Sequence, residues 1–352
     1  MIRIALACCF AACFSEPHPR PALGDANGDA NGDAHGDGPL ANVNFMFVTA
    51  QPHAISSLAE ADTMCTTLAH DASLPGATYV AWLSDATHDA RDRLGSARGW
   101  QRTDYQPFAD LVSDVAFGTF YAPPRYDETG VDLGGVMSLD VATGTDSSGH
   151  KTSAYFGSIG NMITSGLADV EGSLWTEYSQ IPTTTPFRFY CFGTDYTTAV
   201  PKPAIDGKLV FVSSQGVYGD ATIAAFDAAC AQDQPGAIAL VAVTGGSALS
   251  RLSATSRPWV RADGMIAISA DATKLTAAID VQADHVSYQG PAWSGAQAID
   301  QPAYSGFSCS DWTGGTSALV GYAFRSTATV AAAGAGTFSC QNNTPRLYCA
   351  MP

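Results

Sequence analysis

The apolar run at 43–49 predicts a strand, and the residues after it change period. Leu58, Ala61, Met64, Cys65, Leu68 and Ala69 recur at three- and four-residue spacing, which predicts a helix over 58–70 with one apolar face. Ser57-Leu58-Ala59-Glu60 reads as its capping box. Cys65 falls on the apolar face and should point to the core. A short strand is expected at 79–83, then a second helix at 84–94 capped by Ser84, with Ala86, Ala90 and Leu94 inward. Beyond Trp100 the pattern becomes loops and short strands up to Cys191. The order then returns. A strand is expected at 209–213, followed by a helix capped by Asp220 that carries Ile223, Phe226 and Cys230 on one face. A strand at 238–244, a shortened helix at 247–252 and a second irregular half complete it.

The words repeat as well as the pattern. Phe47-Val48-Thr49 is matched by Phe211-Val212-Ser213, and Cys65 by Cys230. Ala90-Arg91-Asp92-Arg93-Leu94 is matched by Ala248-Leu249-Ser250-Arg251-Leu252. Trp100-Gln101-Arg102-Thr103-Asp104 answers Trp259-Val260-Arg261-Ala262-Asp263, and Arg188-Phe189-Tyr190-Cys191 answers Arg346-Leu347-Tyr348-Cys349. Trp100 to Cys191 is 91 positions and Trp259 to Cys349 is 90. Matches in order at near-equal spacing predict two copies of one domain, at 42–200 and 207–352, joined by a short stiff linker at 201–206. Trp100 and Trp259 recur, so they are read as core.

Composition narrows the partners. Charged residues make up only 14% of the 352, and acidic residues outnumber basic ones 33 to 17. No basic run exists, which argues against nucleic acid and anionic headgroups as ligands. The 34 glycines and 19 prolines fit a chain rich in turns.

The first residues carry a short basic start and an apolar stretch, 4–12, ending at Cys13. The stretch is too short to span a bilayer and reads as an export signal. Phe10-Ala11-Ala12-Cys13 resembles a bacterial lipobox, with Phe10 where Leu is usual. Lipidation at Cys13 would anchor the chain at the bacterial envelope or surface; a plainly cleaved signal would leave it secreted. Residues 14–41 carry a Gly/Asp four-residue repeat with no large apolar side chain, so they are expected to be a flexible tether. The repeat has no glutamate at the twelfth position that an EF-hand-type calcium loop requires.

Three of the nine cysteines, Cys8, Cys9 and Cys13, lie in the export segment. Aligning the copies matches Cys65 with Cys230 and Cys191 with Cys349, and leaves Cys309 and Cys340 together without counterparts. The expected disulfides are Cys65–Cys191, Cys230–Cys349 and Cys309–Cys340, as suits an oxidising compartment.

These residues resemble a family of bacterial surface lipoproteins with a C-type-lectin-like, endostatin-related domain. The likeness rests on Phe47-Val48-Thr49, Ala61-Asp62-x-x-Cys65, Leu74-Pro75-Gly76, Ala81-Trp82-Leu83-Ser84-Asp85 and Ala90-Arg91-Asp92-Arg93-Leu94. Trp259-Val260-Arg261-Ala262-Asp263-Gly264, Cys309-Ser310-Asp311-Trp312 and Arg346-Leu347-Tyr348-Cys349 extend it. The resemblance implies an α+β fold of two tandem lectin-like domains, each with two helices, short antiparallel strands and a loop-rich second half. It also implies an outer bridge from the first helix to the last strand and an optional inner bridge, which copy one lacks.

Sugar binding does not follow from it. The Glu-Pro-Asn or Gln-Pro-Asp and Trp-Asn-Asp triplets of calcium-dependent lectins are absent, and Gln301-Pro302-Ala303 lacks the acid. Asp127, Glu128 and Asp132, beside Arg125, are the remaining calcium candidates; a solvated acidic loop is the plainer reading. No cofactor is expected. No Gly-x-Ser-x-Gly elbow, His-Glu-x-x-His helix or Walker loop occurs, so no catalytic residue is expected. The leading expectation is a non-catalytic binding module for a glycan, matrix or protein ligand. A structural envelope protein and a divergent hydrolase are the alternatives.

Overall fold

A computed structural model describes residues 42–134, 139–201, 206–313, 319–325 and 336–352. The expected export segment, Cys13, the tether and linker residues 202–205 lie outside the described residues. The chain folds as α+β, with few helices and many short strands.

The first half contains strands β1 (Asn44–Val48), β2 (Tyr79–Ala81), β3 (Trp100–Arg102), β4 (Pro107–Ala109), β5 (Asp140–Ala142), β6 (Met162–Leu167), β7 (Ser179–Pro182) and β8 (Tyr190–Gly193). The second half contains β9 (Lys208–Val212), β10 (Ile238–Ala239), β11 (Trp259–Val260), β12 (Ile266–Ile268), β13 (Pro291–Trp293), β14 (Val320–Arg325), β15 (Gly336–Ser339) and β16 (Arg346–Ala350). The strand order β2-β8-β1-β3-β4 of the first half returns as β10-β16-β9-β11-β12 in the second. Registers correspond too: Phe47 lies opposite Cys191, and Phe211 opposite Cys349. The β5-β6-β7 meander has its counterpart in β13-β14-β15, which joins the main sheet through β16.

These sheets are mixed, whereas the resemblance implied antiparallel strands. β1 pairs β3, and β9 pairs β11, in parallel. The reason is the crossover: the chain leaves β1, passes through α1 (Leu58–Asp71) and α2 (Ala90–Arg93), and returns in the same direction.

β1 is buried on both faces, so its alternate residues serve two cores. Met46 and Val48 pack with Trp82, Trp100 and Trp175, while Phe45 and Phe47 pack with Cys65 beneath α1. Val210, Val212 and Phe211 divide in the same way in the second half. Trp100 and Trp259 are both fully buried. Their indole Nε1–H groups donate to equivalent carbonyls, Gly193 O at 2.9 Å and Met351 O at 2.6 Å.

The repeated words have physical roles. In each half a helix aspartate three residues before the cysteine accepts an amide from the neighbouring strand, Asp62 from Ala81 N and Asp227 from Ala239 N. An arginine then ties both together. Arg93 donates to Asp62, Ala81 O and Leu83 O; Arg251 donates to Asp227 and Ala239 O. The following Leu94 and Leu252 enter the core. In the Trp-x-Arg-x-Asp words, Arg102 grips Asp104 and Arg261 grips Asp263, each through Nε and an Nη.

Helix α1 starts where its cap predicts, with Ser57 accepting from Glu60 N; the Glu60 carboxylate accepts from Ser56. The expected helix at 84–94 shrinks to α2. Asp85 accepts from Thr87 N and His88 N, and this local turn competes with helix; buried Ser84 instead accepts from Ala90 N. Two short elements complete the first half, α3 (Val112–Phe117) and a 3₁₀ turn at Gly172–Trp175. α4 (Ile223–Asp233) is capped by Thr222, not Asp220, because the Thr222 hydroxyl reaches Ala225 N. The expected strand at 238–244 is reduced to β10, since Ala242 N turns away to Ser294 O. The expected helix at 247–252 is a single 3₁₀ turn, Leu249–Arg251.

Disulfides join Cys65 to Cys191, Cys230 to Cys349 and Cys309 to Cys340. The chain-entropy relation credits the two long loops with at most about 5 kcal/mol each and the shorter one with nearer 4. The third bridge occupies space that the first half fills differently. Register matches Gly321 and Trp293 to Ile163 and Ala142. A Cβ on Gly321 would lie 2.8 Å from Cys309 Sγ and 2.7 Å from the Trp293 ring. The second half therefore exchanges an isoleucine for a sulfur bridge and a tryptophan.

Candidate functional site

Two of the three sequence-selected carboxylates are buried, and all three accept hydrogen bonds or pair with an arginine within the chain. Asp127 Oδ1 accepts from Thr129 N, Thr129 Oγ1 and Val131 N at 2.8–2.9 Å. Glu128 Oε2 accepts from Ala50 N at 2.9 Å, and burial pushes its carboxyl above the usual range. Asp132 pairs with Arg125 at 2.9 Å and accepts from Gly134 N. Among the described residues no group of three or more His, Cys, Asp or Glu is arranged to hold a metal ion.

A groove of about 380 Å³ lies between loop 213–217 and the α4 face formed by Ala225, Ala228, Ala229, Gln232 and Asp233. Its one carboxylate accepts from Ser214 N and Ser214 Oγ, at 2.7 and 2.5 Å. Among the described residues no histidine, lysine or arginine lines it.

A different arrangement occurs after β13. Ser294 N and Gly295 N both donate to Tyr322 O on β14, Tyr322 N donates to Phe307 O at 2.8 Å, and Tyr304 N donates to Gly295 O at 3.0 Å. These bonds bring the Tyr322 ring against those of Tyr304 and Phe307, 18 and 15 positions earlier. Tyr304 and Phe307 have centroids 5.3 Å apart, Phe307 and Tyr322 4.9 Å, and Tyr304 and Tyr322 5.7 Å with their planes at 90°. Tyr304 is 50% exposed, and Phe307 and Tyr322 are half-buried. The Gln297 amide donates to the Tyr322 hydroxyl at 3.1 Å, fixing a polar group at the cluster's edge.

The first half has the same backbone frame without the rings. Thr143 N and Gly144 N donate to Thr164 O, Thr164 N donates to Ala154 O, and Thr152 N donates to Gly144 O. Tyr304, Phe307 and Tyr322 therefore stand where Thr152, Ala154 and Thr164 stand. There the two threonine hydroxyls hydrogen-bond each other at 2.7 Å. The same set of backbone hydrogen bonds carries a small polar contact in one half and an aromatic cluster in the other.

The turn after the cluster is unusual. Cys309, Ser310, Asp311 and Trp312 (α5) all have φ between 48° and 59°. Left-handed backbone at non-glycine residues is costly, so it persists only where surroundings enforce it. Here the Cys309–Cys340 bridge does so, together with buried Trp312, which donates to Ala242 O at 2.8 Å, and Asp311, which accepts from Thr244 N at 2.9 Å.

Sequence reasoning missed the cluster. The available signal was Tyr304-Ser305-Gly306-Phe307, two aromatics in a Gly/Ser stretch directly after Gln301-Pro302-Ala303. Half-exposed rings clustered in a loop present flat apolar faces with polar edges, a surface suited to stacking. No family model matches the sequence, and no curated protein is significantly similar to it.

Proposed function

We propose that this chain is a non-catalytic binding protein of two tandem C-type-lectin-like domains, and that the second domain holds a glycan on Tyr304, Phe307 and Tyr322. The observation that carries the reading is the replacement of Thr152, Ala154 and Thr164 by three aromatics on one conserved hydrogen-bond frame. A pyranose has an apolar C–H face and a hydroxyl rim. The ring faces suit the first, and the Gln297 amide suits the second. Calcium plays no part in this reading, since the acidic loop at Asp127 is occupied by its own donors. Three disulfides favour an oxidising, extracytoplasmic setting, in line with export and an anchor at Cys13. Among the described residues no helix is long and apolar enough to cross a membrane.

The test is glycan-array binding by the oxidised protein, in calcium and then in chelator, alongside Tyr304→Ala and Thr152→Ala. Binding that survives chelator, falls at least about tenfold in Tyr304→Ala and is unchanged in Thr152→Ala is the expected result. A tenfold fall corresponds to the loss of one stacked ring. Absence of glycan binding, or equal binding by Tyr304→Ala, overturns the reading.

A further inference from the structure

Arg261 is the counterpart of Arg102, yet its surroundings differ. Arg102 meets Asp104 and Pro123 O inside its own half. Arg261 meets Asp263 and Ala278 O in the same way, and then reaches across to the first half. Its Nη1 donates to Glu171 Oε2 at 3.0 Å and to Asp280 Oδ1 at 2.8 Å, while Nη2 donates to Tyr121 O at 3.0 Å. The other Glu171 oxygen accepts from Ala278 N at 3.3 Å. Beside this network Ala122 packs on Met265 and Ala277, with Tyr121 against them. The side chains of Arg261 and Glu171 are each 1% exposed, and those of Asp280 and Asp263 are 11% and 16% exposed.

The charge count is uneven. One guanidinium faces three carboxyl groups out of water, and full ionisation would leave two uncompensated negative charges. Burial and neighbouring carboxylates both disfavour that state. Glu171 Oε2 and Asp280 Oδ1 accept from the same Arg261 Nη1, so the two carboxyl groups are held side by side and the pair is favoured when one keeps its proton. Burial, together with Asp280, pushes Glu171 well above the usual carboxyl range, and burial pushes Asp280 up as well. Among the described residues the phenols of Tyr121 and Tyr348 also feel the cluster, through Asp263 and Asp280, and burial pushes both up.

We propose that the Glu171–Arg261–Asp280 junction is a proton-dependent latch that holds the two halves together and loosens as pH rises. The closed junction keeps a proton that an opened, hydrated Glu171 would release. Closure is therefore favoured below the ordinary carboxyl range. It weakens as pH climbs from there to the raised closed-state value, and changes no further above it. This inference does not depend on the glycan reading.

The Ala278 amide reports on the latch directly, because its acceptor belongs to the other half. Hydrogen exchange of the peptide containing Ala278 should be followed in the full oxidised chain from about pH 4, in the ordinary carboxyl range, up to about pH 8.5, corrected for intrinsic exchange. The β1–β8 and β9–β16 pairings serve as internal controls. We expect Ala278 protection to fall at least about tenfold while the control strands keep theirs, since each unit of raised pKa is worth tenfold. Glu171→Gln, which keeps an acceptor without the charge, should stay protected across the range; Asp280→Asn serves if that variant does not fold. A flat wild-type profile, or the same fall in the folded variant, overturns the proposal.

Discussion

Gly321→Ala isolates the packing around the third disulfide. The position lies in β14, where Gly to Ala should by itself stabilise by about 0.4–1 kcal/mol through the unfolded chain. The added methyl has no room, however. It would sit 2.7 Å from Trp293 Cζ3, 2.8 Å from Cys309 Sγ and 3.2 Å from Trp293 Cε3. Both neighbours are fully buried, and the sulfur is fixed by its bond to Cys340, so neither can swing aside. Overpacking of this kind costs roughly 1–3 kcal/mol, enough to reverse the sign. Guanidinium unfolding followed by tryptophan fluorescence should therefore give Gly321→Ala a lower midpoint with an unchanged slope. The same change in a Cys309→Ala/Cys340→Ala background meets only Trp293, so the cost should shrink by about 1 kcal/mol, a coupling a double-mutant cycle resolves. A midpoint that does not fall, or costs that simply add, would refute the reasoning.

Other consequences follow from the repeated contacts. Arg93→Met and Arg251→Met each strip an aspartate and a strand carbonyl of their donor, so each should cost about 2 kcal/mol by denaturant unfolding, with similar values in the two halves. Asp169 is buried and its carboxyl is pushed up to about 6. A raised carboxyl makes stability fall as pH climbs from the ordinary aspartate range to about 6, and adds no slope beyond; melting temperatures of Asp169→Asn across pH 4–8 should lack this component.

The features readable from sequence were those with a local cause or an internal copy. Helix α1 was legible because its spacing, its Ser57 cap and its apolar face agree within a single segment. The cysteine partners were legible because aligning the halves isolates Cys309 and Cys340 as a pair. The second helix was not, since the Asp85 carboxylate accepts from the Thr87 and His88 amides in a turn that competes with helix at 85–88, and propensity alone does not weigh that competition. Nor was parallel pairing, which depends on where the crossover lands. The aromatic cluster draws on residues 297, 304, 307 and 322, and the junction joins residues 90 apart. Both depend on the tertiary frame, and no local period encodes them.

The two halves share the bonds that build the frame and differ in what the frame holds. The sheet registers, the Trp-to-carbonyl bonds and the Arg–Asp–strand ties recur, so they carry the fold and leave little freedom to vary. Three of the differences fall at positions whose backbone contacts recur in both halves. At one such set the first half places Thr152 against Thr164 and the second places Tyr304 against Tyr322. At another, Ile163 yields to Gly321 and a disulfide, which in turn holds the left-handed turn beside the rings. At a third, Arg102 serves its own half, while Arg261 reaches Glu171 in the other. A frame stable enough to tolerate such exchanges lets one copy carry a half-exposed aromatic cluster and lets Arg261 reach the other half, without rebuilding either core.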